Sequence, residues 1–123
     1  MNQDEPDANS LRKELPLTPV AFEILLSLAA GARHGYAVMS DVRERSGGAL
    51  TLHPGTLYRA LNRLLDQRWI EELDQAPEGA SADERRRYYC LTERGRQVAE
   101  AEALRLSEQA AAARRLLRGE EGG

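Results

Sequence analysis

Thr56, Arg59, Asn62 and Arg63 are the side chains whose types and spacing promise chemistry. They share one side of a segment, residues 53–68, whose apolar residues Leu57, Leu61, Leu64 and Leu65 recur at i, i+4, i+7 and i+8. That period is the buried stripe of an amphipathic helix. Pro54-Gly55-Thr56 supplies its start, because proline's fixed φ suits a first turn and its missing N–H would go unpaired there anyway. The opposite face then projects guanidinium and amide groups. Arginine makes paired hydrogen bonds to a guanine edge, and asparagine to an adenine edge, in a DNA major groove. Taken alone, the segment reads equally well as a surface helix with a charged outer face.

Other chemistries find little support. The chain has two histidines, His34 and His53, and one cysteine, Cys90. No paired carboxylate or activated nucleophile stands in a recognisable frame, so the chain does not read as an enzyme. The spacing of His34, His53 and Cys90 matches no dedicated metal motif, and neither metal nor cofactor is expected. A lone cysteine forms no internal disulfide, which fits a reducing cytosol. No run of about 18 apolar residues offers a membrane span. The acidic start, Met1 to Glu5, lacks the apolar segment of a secretory signal. A cytoplasmic protein is the expectation.

The net charge of −3 argues against nucleic acid as a partner until its distribution is followed. Residues 15–70 carry six arginines against four acids, residues 71–84 carry six acids and no base, and Arg85-Arg86-Arg87 follow at once. At a Debye length of roughly 8 Å, local arrangement rather than the sum governs attraction to phosphates. Weak non-specific DNA affinity is expected.

The elements that must position this helix follow from the chain in order. Residues 1–14 are polar and without period, and read as a disordered tail. Thr18-Pro19 is a helix start, with apolar residues at Leu17, Val20, Ala21, Ile24, Leu25 and Leu28 and with Phe22 and Leu26 on a flank. So wide an apolar face suits either a central core helix or one that also meets a partner subunit through Phe22. His34-Gly35-Tyr36 opens a second helix, expected to turn Tyr36, Met39 and Val42 inward. Ser46-Gly47-Gly48 ends it. Two short helices of this kind, the second polar on its outer face, resemble a helix-turn-helix.

After Arg68 the period changes. Residues from Trp69 onward and Arg85 to Leu91 are two strands around a polar loop, residues 76–84. A hairpin placed directly after a helix-turn-helix is a wing. Arg85, Arg86 and Arg87 then stand where they reach a minor groove or its phosphates; the alternative is an edge strand kept soluble by charge. Thr92 caps a last helix on which Ala99, Ala103, Leu106, Ala110, Ala113 and Leu117 are spaced 4, 3, 4, 3 and 4, a heptad seam. Its simplest partner is a second copy, against the alternative of folding back on its own domain. The expected organisation is a winged helix-turn-helix over 15–91, a dimerisation helix over 92–118 and a tail over 119–123. The fold class is mainly α with a small β-hairpin.

These pieces together resemble the PadR family of bacterial transcriptional regulators. The resemblance lies in His34-Gly35-Tyr36, in Pro54-Gly55-Thr56-Leu57-Tyr58-Arg59-Ala60-Leu61-Asn62-Arg63-Leu64, in Trp69-Ile70 and in Arg87-Tyr88-Tyr89-Cys90-Leu91-Thr92-Glu93-Arg94-Gly95. It implies a homodimer joined through the last helix, binding of double-stranded DNA at inverted repeats, and repression relieved by a small effector or stress signal. Thr56, Tyr58, Arg59, Asn62 and Arg63 become the implied contacts, with Tyr58 packing its ring while its hydroxyl reaches a phosphate. The chain departs from the family at Arg68, where glycine is frequent, and in a last helix without aromatic residues for stacking a flat ligand. Trp69 is therefore expected in the core or at its junction with the last helix. The rival function is a winged-helix module that binds only proteins.

Overall fold

Thr18 opens helix α1 (Pro19–Ala29): its hydroxyl accepts the Ala21 N–H at 3.1 Å, and Pro19 begins the first turn. The computed structural model describes residues 11–73 and 87–119. Arg85 and Arg86, the whole of the expected loop at 76–84 and the 119–123 tail beyond Gly119 lie outside the described residues. Leu11 to Glu14, read from sequence as tail, make a turn in which the Glu14 N–H bonds the Leu11 carbonyl, and Leu11 packs against the core.

Helix α2 (Gly35–Arg45) begins under an unforeseen cap, for His34 Nδ1 accepts the Ala37 N–H at 3.2 Å. It ends at Ser46 in a Schellman turn with Gly47 at φ 64°. Its buried residues are Gly35, Val38 and Val42, while Tyr36 is 60% exposed. The expected inward stripe was thus one position out of phase for Tyr36. Gly35 has no side chain to mark the buried line, so the large ring beside it drew the assignment. An ideal Cβ on Gly35 would lie 2.8 Å from the Tyr58 hydroxyl and 3.3 Å from a Leu57 methyl. A side chain at this position would displace the Tyr58 ring of the next helix and crowd Leu57.

That helix, α3 (Pro54–Asp66), buries Leu57, Leu61 and Leu64 as its period requires. It closes in a second Schellman turn. The Trp69 N–H reaches the Leu64 carbonyl at 3.1 Å and the Arg68 N–H the Leu65 carbonyl at 3.0 Å. Arg68 occupies the left-handed position at φ 63°, which costs a non-glycine residue about 1–2 kcal/mol. Burial of Leu64 and Trp69 on either side holds the turn closed.

The expected hairpin is a three-stranded antiparallel sheet. Strands β2 (Ile70–Leu73) and β3 (Tyr88–Leu91) pair with Ile70 opposite Leu91 and Leu73 opposite Tyr88. On the other side of β3 lies β1 (Arg33–His34), between α1 and α2. Two residues show no alternation, so sequence pattern cannot mark such a strand. One core gathers Ile24, Leu25 and Leu28, Val38 and Val42, the three leucines of α3, Trp69, Ile70, Tyr89, Val98 and Ala99.

The last helix, α4 (Glu93–Leu117), has 25 residues and so runs roughly 37 Å. The Thr92 hydroxyl caps it by accepting the Gly95 N–H at 3.0 Å and donates to the Arg68 carbonyl at 2.7 Å. The Thr92 N–H donates to the Trp69 carbonyl at 3.0 Å. Trp69 sits at this junction and in the core, 5% exposed, as expected. An ideal Cβ on Gly95 would stand 2.0 Å from the Trp69 carbonyl oxygen. Two turns further, the buried Glu102 carboxylate accepts the Leu17 N–H at 2.8 Å and pairs with Arg105, which ties the base of α4 to the segment before α1. Of the heptad-spaced residues, Ala99 is buried in this chain's own core, and those from Ala103 onward are exposed.

Two outcomes follow for stability. A helical glycine-to-alanine change ordinarily gains up to about 1 kcal/mol, but Gly95→Ala should cost about 3 kcal/mol because the backbone carbonyl it meets cannot rotate away. Urea unfolding reads the sign directly. The hydrogen bonds from Arg105, with the Leu17 N–H, hold the Glu102 carboxyl below the usual carboxylate range despite its burial. A depressed folded-state pKa contributes stability that is complete above the unfolded value, near 4.5, and is lost as pH falls through the folded value. Glu102→Gln should therefore melt lower than wild type at pH 7, and the gap in melting temperature should close on acidification below pH 4.5.

Candidate nucleic-acid interface

Helix α3 displays Arg59, Asn62 and Arg63 exposed on the face opposite its leucines. Thr56 is half-buried, and its hydroxyl takes one long contact, 3.4 Å, from the Arg59 guanidinium. Tyr58 is 40% exposed, with its hydroxyl over Gly35 at the start of α2. The structure thus gathers all five predicted α3 residues at or beside one outward surface.

The arginines divide into two kinds. Arg45 is held by Glu23 at 2.6 Å and Asp41 at 3.0 Å, Arg87 by Glu72 at 3.2 Å, and Arg105 by Glu102. Among the described residues no ion pair involves α3. Arg59 and Arg63 therefore keep their guanidinium donors available to an incoming acceptor, at low desolvation cost because both already face water. Arg87 stands at the base of the wing. Tyr89 foremost, and Glu72 after it, raise its pKa above the ordinary arginine value. Part of its charge is thus already answered by Glu72, and the strand it leads into, β3, is the middle strand of the sheet and not the edge strand of the alternative reading.

Sequence reasoning missed a second group beside this surface. Tyr36, Ser40 and Arg43 are exposed on α2 and, with Thr51 and Pro54, border a cleft of about 350 Å³ next to the start of α3. The signal was present in the spacing: with Gly35, Val38 and Val42 inward, positions 36, 40 and 43 must face out. Elsewhere, Cys90 is half-buried on β3, and burial, with Glu71 after it, pushes its thiol above the ordinary value, which leaves little thiolate at neutral pH.

A short helix across the start of a second helix with a free cationic face, flanked by a small sheet, is the geometry of a winged helix-turn-helix. The comparisons give the family. Residues 24–101 match the transcriptional regulator PadR-like family, and the chain belongs to it. It is a DNA-binding transcriptional regulator of the winged helix-turn-helix class, not an enzyme.

Its fold is that of a PadR family transcription regulator from Clostridium difficile, with a TM-score of 0.69 and 26% identity over 81% of this chain and 99% of that one. RosR from H. salinarum superposes with a TM-score of 0.59 and 29% identity, over 87% and 90% of the two chains. A transcriptional regulator from Clostridium thermocellum shares the fold at 19% identity and a TM-score of 0.63, over 88% and 97%. A 37.1 kDa protein of a Streptomyces fradiae transposon is 38% identical over 80 residues, 65% of this chain, which spans 21% of that protein's length. Among the described residues, no helix is long and apolar enough to cross a membrane.

Proposed function

We propose that this regulator works in the cytoplasm as a homodimeric repressor on an inverted-repeat operator, and that a small effector relieves it. The observation that carries the DNA side is the pair Arg59 and Arg63, one turn apart on α3 and without an acid partner among the described residues. In this reading Thr56, Arg59, Asn62 and Arg63 meet base edges in the major groove. Tyr58, together with Tyr36, Ser40 and Arg43 of α2, lies along the sugar-phosphate backbone. Arg85, Arg86 and Arg87 supply charge from the wing.

The dimer side rests on α4. Beyond Glu102 it leaves the core, and it exposes Leu106 (38%), Leu117 (87%) and Ala103, Ala110 and Ala113 on a single stripe. A second copy packed along these alanines covers that stripe with close backbone approach. Phe22, half-buried against its own core, keeps one edge for the same partner. Two α3 helices related by the two-fold axis then sit about 34–36 Å apart, one DNA turn.

Fluorescence anisotropy on operator duplexes, selected from a random library with the purified chain, tests the first part. Arg59→Ala should cost roughly 1–3 kcal/mol and relax preference at one base pair per half-site. Arg87→Ala should weaken all duplexes alike and reduce the salt slope by up to about 0.9. An Arg59→Ala protein that binds like wild type across a salt series removes the assignment, and a chain with no duplex affinity is a protein-binding module instead. Sedimentation tests the second part. Wild type should run as a dimer at micromolar concentration. Leu106→Glu with Ala110→Glu, both on the exposed stripe, should give a folded monomer with the same far-ultraviolet spectrum and lost operator affinity.

A further inference from the structure

Glu102 is a carboxylate with 2% of its surface exposed, two turns along α4 from Gly95. Both of its oxygens are engaged. Oε2 accepts the Leu17 N–H at 2.8 Å and an Arg105 guanidinium N–H at 3.2 Å, and Oε1 accepts the Arg105 Nε–H. Arg105 is held in turn by Gln109, whose side-chain oxygen accepts its Nη1–H at 3.3 Å. A buried ion pair gains little stability over an apolar side chain of the same size. What the carboxylate adds is direction. A hydrogen bond weakens steeply within about 1 Å and about 40° of its best geometry, whereas apolar surfaces slide past one another.

We propose that Glu102 is a positioning residue for operator recognition: its bond to the Leu17 N–H fixes the direction of α4 and thereby selects the half-site spacing that the dimer accepts. The Trp69 carbonyl and Thr92 attach α4 to the end of α3 at its first turn. The Glu102 bond is a second attachment, about 10 Å further along the axis. It reaches a different part of the fold, the segment that leads into α1, and α1 itself packs on both α2 and α4. Two attachments on separate elements define a direction, where one defines only a pivot. The length that remains, from Ala103 to Leu117, extends about 22 Å and carries the exposed stripe. A tilt of about 10° over that length shifts the stripe relative to α3 by about 4 Å, more than the rise of one base pair, about 3.4 Å. The two-fold axis repeats the shift in the other subunit. The inference rests on the homodimeric operator reading above.

Fluorescence anisotropy of the full chain on a duplex series tests it, with the two half-sites at the selected spacing or one base pair closer or further apart. Wild type should bind the selected spacing more tightly than either neighbour. Glu102→Leu, which fills the site without an acceptor, should reduce that Kd ratio roughly tenfold, as loss of one charge-assisted hydrogen bond does. Glu102→Gln keeps an amide oxygen for the Leu17 N–H and should retain part of the ratio. Both variants should sediment as dimers, because the exposed stripe begins beyond Glu102. Both should bind a duplex carrying one half-site within about twofold of wild type. A merely structural role would instead lower the melting temperature and weaken every spacing alike. Spin labels at Asn62→Cys, on a Cys90→Ser background, read the separation of the two α3 helices without DNA. That separation should be narrow with Glu102 in place and broader or displaced with Glu102→Leu. An unchanged spacing ratio, or an unchanged label separation, overturns the inference and leaves the operator reading intact. If Glu102→Leu does not fold, Glu102→Gln decides on the same ratio. A wild type that is monomeric, or dimeric without duplex affinity, sinks the operator reading, and the spacing role falls with it.

Discussion

The carbonyl of Trp69 is the point on which the arrangement turns. The helix α3 ends there, the wing begins there, and α4 is bolted to it. Its oxygen accepts the Thr92 N–H, and the neighbouring Arg68 carbonyl accepts the Thr92 hydroxyl. Gly95 lies so close that no side chain fits between. Two hydrogen bonds and one steric exclusion thus fix how α4 leaves the domain relative to α3. Packed interiors shift between discrete arrangements rather than bend. A junction of this kind therefore passes the geometry of one end of the molecule to the other. The left-handed Arg68 is what makes the junction possible, since the chain must reverse within the residues that separate Asp66 from Ile70.

What the sequence disclosed, and what it withheld, follows from how far each constraint reaches along the chain. The leucines of α3 have their burial set by a local period, so the helix and its outward face were legible. So were the caps at Thr18 and Thr92, each made within three residues. Tyr36 was placed inward because Gly35, the residue that does face the core, leaves no mark in an apolar pattern. Strand β1 is two residues long, and its partner lies 56 positions away, at Tyr89 for Arg33, where no local pattern can announce it. No local pattern in the sequence of α4 marks Glu102 for burial. Its burial depends on the Leu17 N–H, separated from it by 85 positions.

The last helix shows a subtler limit. A heptad stripe of alanines has the same period whether it packs on its own domain or on another chain. Ala99 and Ala103 are successive members of that stripe, yet Ala99 is in the core and Ala103 is exposed. The boundary is set by where the core ends, and the buried Glu102–Arg105 pair stands at that edge. Period reveals which face of a helix is apolar; only the extent of the remaining fold decides what covers it. The arginines follow the same logic. Arg45 is held by Asp41 four residues before it and by Glu23 22 residues before it, whereas Arg59 has no acid partner among the described residues.

A protein of net charge −3 that recognises DNA must do so with a few well-placed cations. If the affinity came from a broad basic surface, any two arginines would matter little. Arg45, Arg87 and Arg105 are each paired with a carboxylate, whereas Arg59 and Arg63 have no acid partner among the described residues, so on the proposed reading face these two carry the attraction to phosphates and bases.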